Sequence, residues 1–198
     1  MKQLVFIHGG ETFDTYDAYL DALKEWTYDP FKEFGGRWKN SLAEELGDEW
    51  LVFAPTMPSK YNAKYVEWCI WFEKVVPFLK DEVRLVGHSL GGIFLAKYLS
   101  EHTLPVSISA LWLVAAPFDT SDTDYSLADF VLPDSLEKVS AQTSKIFVYH
   151  STDDPIVPFS ALEKYKEKLP DAAVRTFPDK GHFLQEEFPE LIQEIQSI

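Results

Sequence analysis

Leu85-Val86-Gly87-His88-Ser89-Leu90-Gly91-Gly92 is the stretch that decides how this chain is read. A run of apolar residues ends at Val86, and after the glycines a second apolar run, Ile93-Phe94-Leu95-Ala96, continues. Between them lies G-x-S-x-G, the spacing of a serine placed on a sharp turn from a strand into a helix. Such a turn strains the serine backbone and leaves no room for side chains two residues before and two after it, which Gly87 and Gly91 satisfy. Gly92 lets the helix approach the sheet. The turn lifts the hydroxyl clear of the sheet and puts the Leu90 N–H at a helix N-terminus, where it can stabilise a developing oxyanion. A bare G-x-S-x-G arises by chance in roughly 7% of chains of this length. The motif therefore carries weight only through its context of a buried strand before it and a helix after it.

That context extends in both directions. Short apolar runs recur at Leu4 to Ile7, Trp50 to Ala54, Val83 to Val86, Ala110 to Ala115, Lys145 to Tyr149 and Ala173 to Phe177. Each is mostly apolar on both faces, as strands of a buried parallel sheet are. Helical segments separate them. Ser41-x-x-Glu44 and Ser160-x-x-Glu163 have capping-box spacing, and Asn62 is placed to cap a helix over Ala63 to Val76 that Pro77 closes or kinks. Gly92 to Glu101 reads as a helix packed on the sheet, and Leu184 to Ile198 has the stripe of a final amphipathic helix. Alternation of this kind predicts an α/β fold in three α/β/α layers, with a mostly parallel sheet of about six strands in one domain over residues 1–198.

Two connections are long. Glu11 to Glu49 carries Trp26, Tyr28, Phe31, Phe34, Gly35, Gly36 and Trp38; Pro117 to Ser144 carries Phe118, Tyr125, Phe130 and Leu132. Long loops in a compact domain tend to cover a site. The second leaves the fourth strand beside the serine turn and is too short for a helical cap, so Phe118, Phe130 and Leu132 are expected to line an apolar pocket.

A serine hydroxyl needs a base. Of five histidines, His88 lies within the turn, His8 and His150 end strands, and His102 ends a helix. His182, in Asp179-Lys180-Gly181-His182-Phe183, follows the last strand and fits a chain order of Ser, then acid, then His. The acid that orients it comes from His150-Ser151-Thr152-Asp153-Asp154-Pro155-Ile156-Val157-Pro158, where the D-x-x-V-P register selects Asp154. Asp153 and Asp119 remain alternatives. His8-Gly9-Gly10 after the first strand offers the Gly10 N–H as partner of the Leu90 N–H.

Together these motifs resemble the α/β-hydrolase superfamily over nearly the whole chain. Ser151-Thr152-Asp153-Asp154-Pro155, Gly181-His182-Phe183 and the compact length resemble in particular the small capless serine hydrolases related to retinoblastoma-binding protein nine. The resemblance implies two-step acyl transfer from ester-type substrates, with thioesters and small amides as further candidates, with Ser89 attacking, His182 shuttling the proton and water releasing the acyl group. His8-Gly9-Gly10 and the aromatic insertion from Trp26 to Trp38 depart from that group, and both lie on the substrate side. A binding scaffold with vestigial chemistry, an acyltransferase and a cofactor-free peroxidase are the alternatives.

Composition narrows the classes further. Thirty-two Asp and Glu against 18 Lys and Arg give a net charge of −14, which disfavours nucleic acid and anionic membrane as partners. No run approaches the ~18 apolar residues of a membrane span, and the N-terminus lacks a signal-peptide core. With one cysteine, Cys69, no intramolecular disulfide forms, which agrees with a cytoplasmic setting. Neither metal-ligand spacing nor a nucleotide-binding glycine motif is present, so no metal or cofactor is expected.

Overall fold

In the computed structural model of the chain, residues 1–27, 29, 38–121, 123 and 125–198 are described. Tyr28, Phe31, Phe34, Gly35 and Gly36 of the aromatic insertion lie outside them.

Six strands form one sheet: β1 (Lys2–Ile7), β2 (Trp50–Phe53), β3 (Val83–His88), β4 (Ile108–Val114), β5 (Ile146–Ser151) and β6 (Ala173–Phe177). Their order is β2-β1-β3-β4-β5-β6, and every pairing is parallel. Side chains alternate between faces with the strand period of two. Val5 and Ile7 enter one core with Leu85, Leu111 and Leu113. Leu4 and Phe6 enter the other with Val86, Trp112 and Val114. Both faces are thus apolar, which is why these strands read as continuous runs.

Helices cover both faces. On the first lie α3 (Tyr65–Phe72), α4 (Leu90–Glu101), α5 (Glu137–Gln142) and α6 (Ser160–Lys168), through Trp68, Phe72, Phe94, Val139 and Tyr165. On the second lie α2 (Trp38–Leu46) and α7 (Pro189–Ser197), through Trp38, Leu42, Leu191 and Ile195. α1 (Tyr16–Glu25) buries no residue in either core. No helix among the described residues is long and apolar enough to cross a membrane.

The strands match their expected positions to within a few residues, whereas the helix starts differ. Ser41 sits inside α2, bonded to the Trp38 carbonyl at 3.2 Å and to Glu45, because the helix begins at Trp38. α6 begins at Ser160 with no side-chain cap. α3 begins at Tyr65 rather than Ala63 and stops at Phe72, with Asn62 in the preceding turn; the Asp129 carboxylate, from a distant loop, accepts the Tyr65 N–H at 3.0 Å. Pro77 lies in a separate 3₁₀ turn, Val76–Phe78. The final helix is shorter than its stripe, starting at Pro189. The long first connection contains α1 and α2, and the second ends in α5.

Candidate active site

With all strands parallel, the ends of β1, β3, β5 and β6 share one rim of the sheet. At the end of β3, Ser89 has φ 55° and ψ −124°, a left-handed conformation for a non-glycine residue, and α4 starts at the next residue. Backbone packing enforces this turn. A Cβ on Gly87 would lie 2.4 Å from the Gly91 carbonyl oxygen, and one on Gly91 would lie 2.2 Å from that of Ile7. Leu90 supplies the first of the α4 N–H groups that lack an intrahelical acceptor.

The loop after β1 passes directly beside the serine: a Cβ on Gly9 would be 3.0 Å from Ser89 Cβ, and one on Gly10 3.2 Å from the Leu90 side chain. Gly10 and Leu90 are therefore brought together. His8 holds this loop. The Met57 N–H donates to its Nε2 at 2.8 Å, so the proton is on Nδ1, which donates to the Gly9 carbonyl at 2.6 Å. Burial lowers the His8 pKa, which favours this neutral form.

His182 and Asp154 meet across the ends of β5 and β6. Nδ1 of His182 lies 2.9 and 3.1 Å from the two Asp154 carboxylate oxygens. A carboxylate only accepts, so His182 carries its proton on Nδ1 and leaves Nε2 basic. The Asp154 side chain is wholly buried, and its Oδ1 also accepts the Ile156 and Val157 N–H groups at 2.8 and 3.0 Å. The two other aspartates do different work. Asp153 accepts from Ser151 Oγ at 2.5 Å and from the Gly181 N–H at 2.8 Å, bonds that hold its carboxyl below the ordinary range. Asp119 pairs with Lys164 at 2.6 Å and accepts from Ser121. Behind Asp154, buried His150 donates from Nε2 to the Val157 carbonyl at 3.0 Å, and burial lowers its pKa.

Among the described residues, two clefts open near this rim. One, of about 490 Å³, is lined by Asp14, Phe118, Asp119, Thr120, Tyr125, Ser126 and Val131 among others. The other, of about 790 Å³, runs along His182 with Ile156, Lys180, Leu184 and Gln185. Phe118 thus borders a cleft, but a mixed polar and apolar one. Phe130 is a correction: it is wholly buried, edge-on to Trp68 and Tyr65 at 5.3 and 5.7 Å, and cannot line a pocket. Leu132 is half-buried against the same core and does not line either cleft. Among the described residues no group of three or more His, Cys, Asp or Glu side chains is gathered closely enough to hold a metal ion.

His8, His150, Trp38 and Lys39 were not singled out as site residues by sequence, and His88 was set aside. His8 at least had a local signal, since it opens the His8-Gly9-Gly10 motif. Trp38, Lys39 and His88 act through partners at least 49 residues away, whereas the Val157 partner of His150 is 7 residues on.

A six-stranded parallel sheet carrying a left-handed serine between β3 and the helix after it defines an α/β hydrolase. Residues 34–194 match the serine hydrolase family. A rat relative, serine hydrolase RBBP9, is 31% identical over 153 residues, covering 73% of this chain and 76% of its own. The chain belongs to the serine hydrolase family. Among solved structures, the ydeN gene product of B. subtilis superposes with a TM-score of 0.76 at 22% identity, covering 100% of this chain and 98% of the other. Est1E from Butyrivibrio proteoclasticus gives 0.60 at 15% identity, covering 99% and 86%. At these identities the likeness is one of fold.

Proposed function

We propose that the chain hydrolyses ester-type bonds through an acyl-enzyme, with Ser89 as nucleophile, His182 as general base and acid, and Asp154 orienting His182. The observation that supports this best is the His182–Asp154 pair. It fixes the tautomer whose Nε2 is free to take a proton, on the same sheet rim as a serine at a helix N-terminus. Ser89 attacks the carbonyl as His182 takes its proton. The Gly10 and Leu90 N–H groups stabilise the oxyanion and His182 protonates the departing alcohol; water then gives a proton to His182 and attacks the acyl carbon, and the acid leaves as His182 returns the proton to Ser89.

The two clefts suggest how substrate lies. The leaving group must depart beside the residue that protonates it, so the cleft along His182 suits the alcohol side. The cleft at Phe118 suits the acyl side. Its carboxylates and hydroxyls favour short or medium acyl groups over long alkyl chains, because each buried polar group left unpaired by an alkyl chain costs free energy. Reaction with a fluorophosphonate probe, followed by p-nitrophenyl esters from acetate to palmitate, tests both statements. Labelling confined to Ser89 and a maximum at short to medium chains are expected. Absence of labelling would overturn the mechanism, and a maximum at palmitate the assignment of the acyl side.

A further inference from the structure

Beyond one internal bond, from the Phe183 N–H to the Lys180 carbonyl at 2.9 Å, the loop that carries His182 is held from outside itself. Phe183, immediately after the histidine, has φ 52°, a left-handed conformation that a bulky residue avoids unless its surroundings impose it. Three carbonyls of this loop are gripped from elsewhere. Trp38 at the start of α2 donates from its indole Nε1 to the Phe183 carbonyl at 2.9 Å and from its backbone N–H to the Gln185 carbonyl at 3.2 Å. The His182 carbonyl is taken by His88, the residue just before Ser89, whose Nε2 lies 2.8 Å away. The two imidazoles meet edge to face, with centroids 4.9 Å apart. Lys39 stands behind, with Nζ 3.0 Å from His88 Nδ1.

The proton positions follow from chemistry. A lysine ammonium has donors and no acceptor, so His88 Nδ1 must present its lone pair. The neutral ring then carries its proton on Nε2, where the His182 carbonyl accepts it. The opposite tautomer would set two lone pairs against each other at 2.8 Å and a proton against the ammonium. Lys39 therefore selects the form of His88 that can hold the base residue by its own backbone.

We infer that His88 is a positioning residue for catalysis: set in its tautomer by Lys39, it ties the nucleophile turn to the backbone of His182 and fixes where the base imidazole stands relative to Ser89. The inference rests on the proposed role of His182 as base. Base and nucleophile sit 93 residues apart on separate strand ends. A direct link between the residue before the serine and the carbonyl of the histidine ties the two together independently of the rest of the loop.

The test is a set of single variants and one double variant, each assayed for p-nitrophenyl acetate hydrolysis and thermal midpoint. His88→Ala should lower kcat about 10- to 100-fold, as sub-ångström to ångström misplacement of a catalytic group does, with KM within about threefold. His88→Gln, whose amide N–H can reach the same carbonyl, should recover most of that loss. In a His182→Ala background, His88→Ala should change the residual rate by less than about twofold, because there is no base left to position. Lys39→Met leaves the turn's glycines untouched and should lower kcat about three- to tenfold; it keeps the proposal testable if His88→Ala does not fold. Wild-type kcat in folded His88→Ala or in Lys39→Met, no advantage of Gln over Ala, or equal losses with and without His182 would overturn the inference while leaving the base in place. Wild-type turnover in His182→Ala would instead remove the base and both readings with it.

Discussion

Replacing Ser89 by alanine removes one side-chain oxygen and leaves a backbone already fixed by its neighbours, so the fold should persist while ester hydrolysis falls by at least about three orders of magnitude. Circular dichroism beside p-nitrophenyl ester turnover checks both halves. Asp154 and Asp153 are adjacent in sequence but face different partners, and their asparagine variants should separate cleanly. Asp154→Asn presents an amide to His182 Nδ1, promotes the wrong tautomer and should lower kcat by orders of magnitude. Asp153→Asn disturbs the bonds to Ser151 and Gly181 and should stay within about tenfold of the wild type; a larger loss there than at Asp154 would move the acid one residue upstream. The turn at Ser89 and the pairing of His182 with Asp154 were legible because each residue belongs to a motif confined to a few consecutive residues. Phe130 was not, because its burial is decided by Trp68 and Tyr65, on a helix some sixty residues earlier. Nor was the part played by Trp38, whose indole bonds a carbonyl 145 residues away.

At the level of elements, strands were easier to locate than helix ends, for a physical reason. A strand buried on both faces must be apolar throughout, as Leu4 to Ile7 shows, so its own residues declare it. A helix start depends on whichever group reaches the orphan N–H donors. At α3 that group is Asp129, from the loop after β4, and at α2 the Trp38 N–H is taken by the Gln185 carbonyl, in the loop that carries His182. Among the described residues, α1 has a side-chain cap of the ordinary local kind, where Thr15 Oγ1 accepts the Ala18 N–H at 3.1 Å. Because α1 buries nothing in the core, Thr15→Ala should cost about 1 kcal/mol locally. Faster amide exchange should be confined to α1, with no loss of global stability. The serine turn responds oppositely. Gly91→Ala would drive a methyl into the Ile7 carbonyl, so either β1 or α4 must shift. We expect a drop of several kcal/mol in urea unfolding together with loss of probe labelling.

Across the whole molecule, acid sensitivity has an assignable origin. His8 and His150 both have pKa values lowered from 6.5, chiefly by burial. Above pH 6.5 neither folded nor unfolded chains carry these protons, and their contribution to stability is complete. Below it the unfolded chain takes up protons that the folded one resists, so stability falls by up to about 1.4 kcal/mol per pH unit for each group until its folded pKa is passed. The net charge of −14 acts in the other direction, since acidification relieves self-repulsion. Urea midpoints measured between pH 7.5 and 5.5 in 1 M NaCl, where the screening length is about 3 Å, isolate the histidine effect. A decline that His150→Gln makes shallower is the expected result, and a flat profile would mean that neither ring resists protonation. The sheet order has a further consequence for how the molecule comes to exist. The proposed nucleophile, acid and base arrive at residues 89, 154 and 182, and the loop that carries His182 is held by Trp38 and His88, far earlier in the chain. The strained serine turn can thus be complete while its base is still undocked. A refolding chain should recover tryptophan fluorescence before it can be acylated, so the covalent probe becomes a clock for the final docking step and labels finished molecules alone.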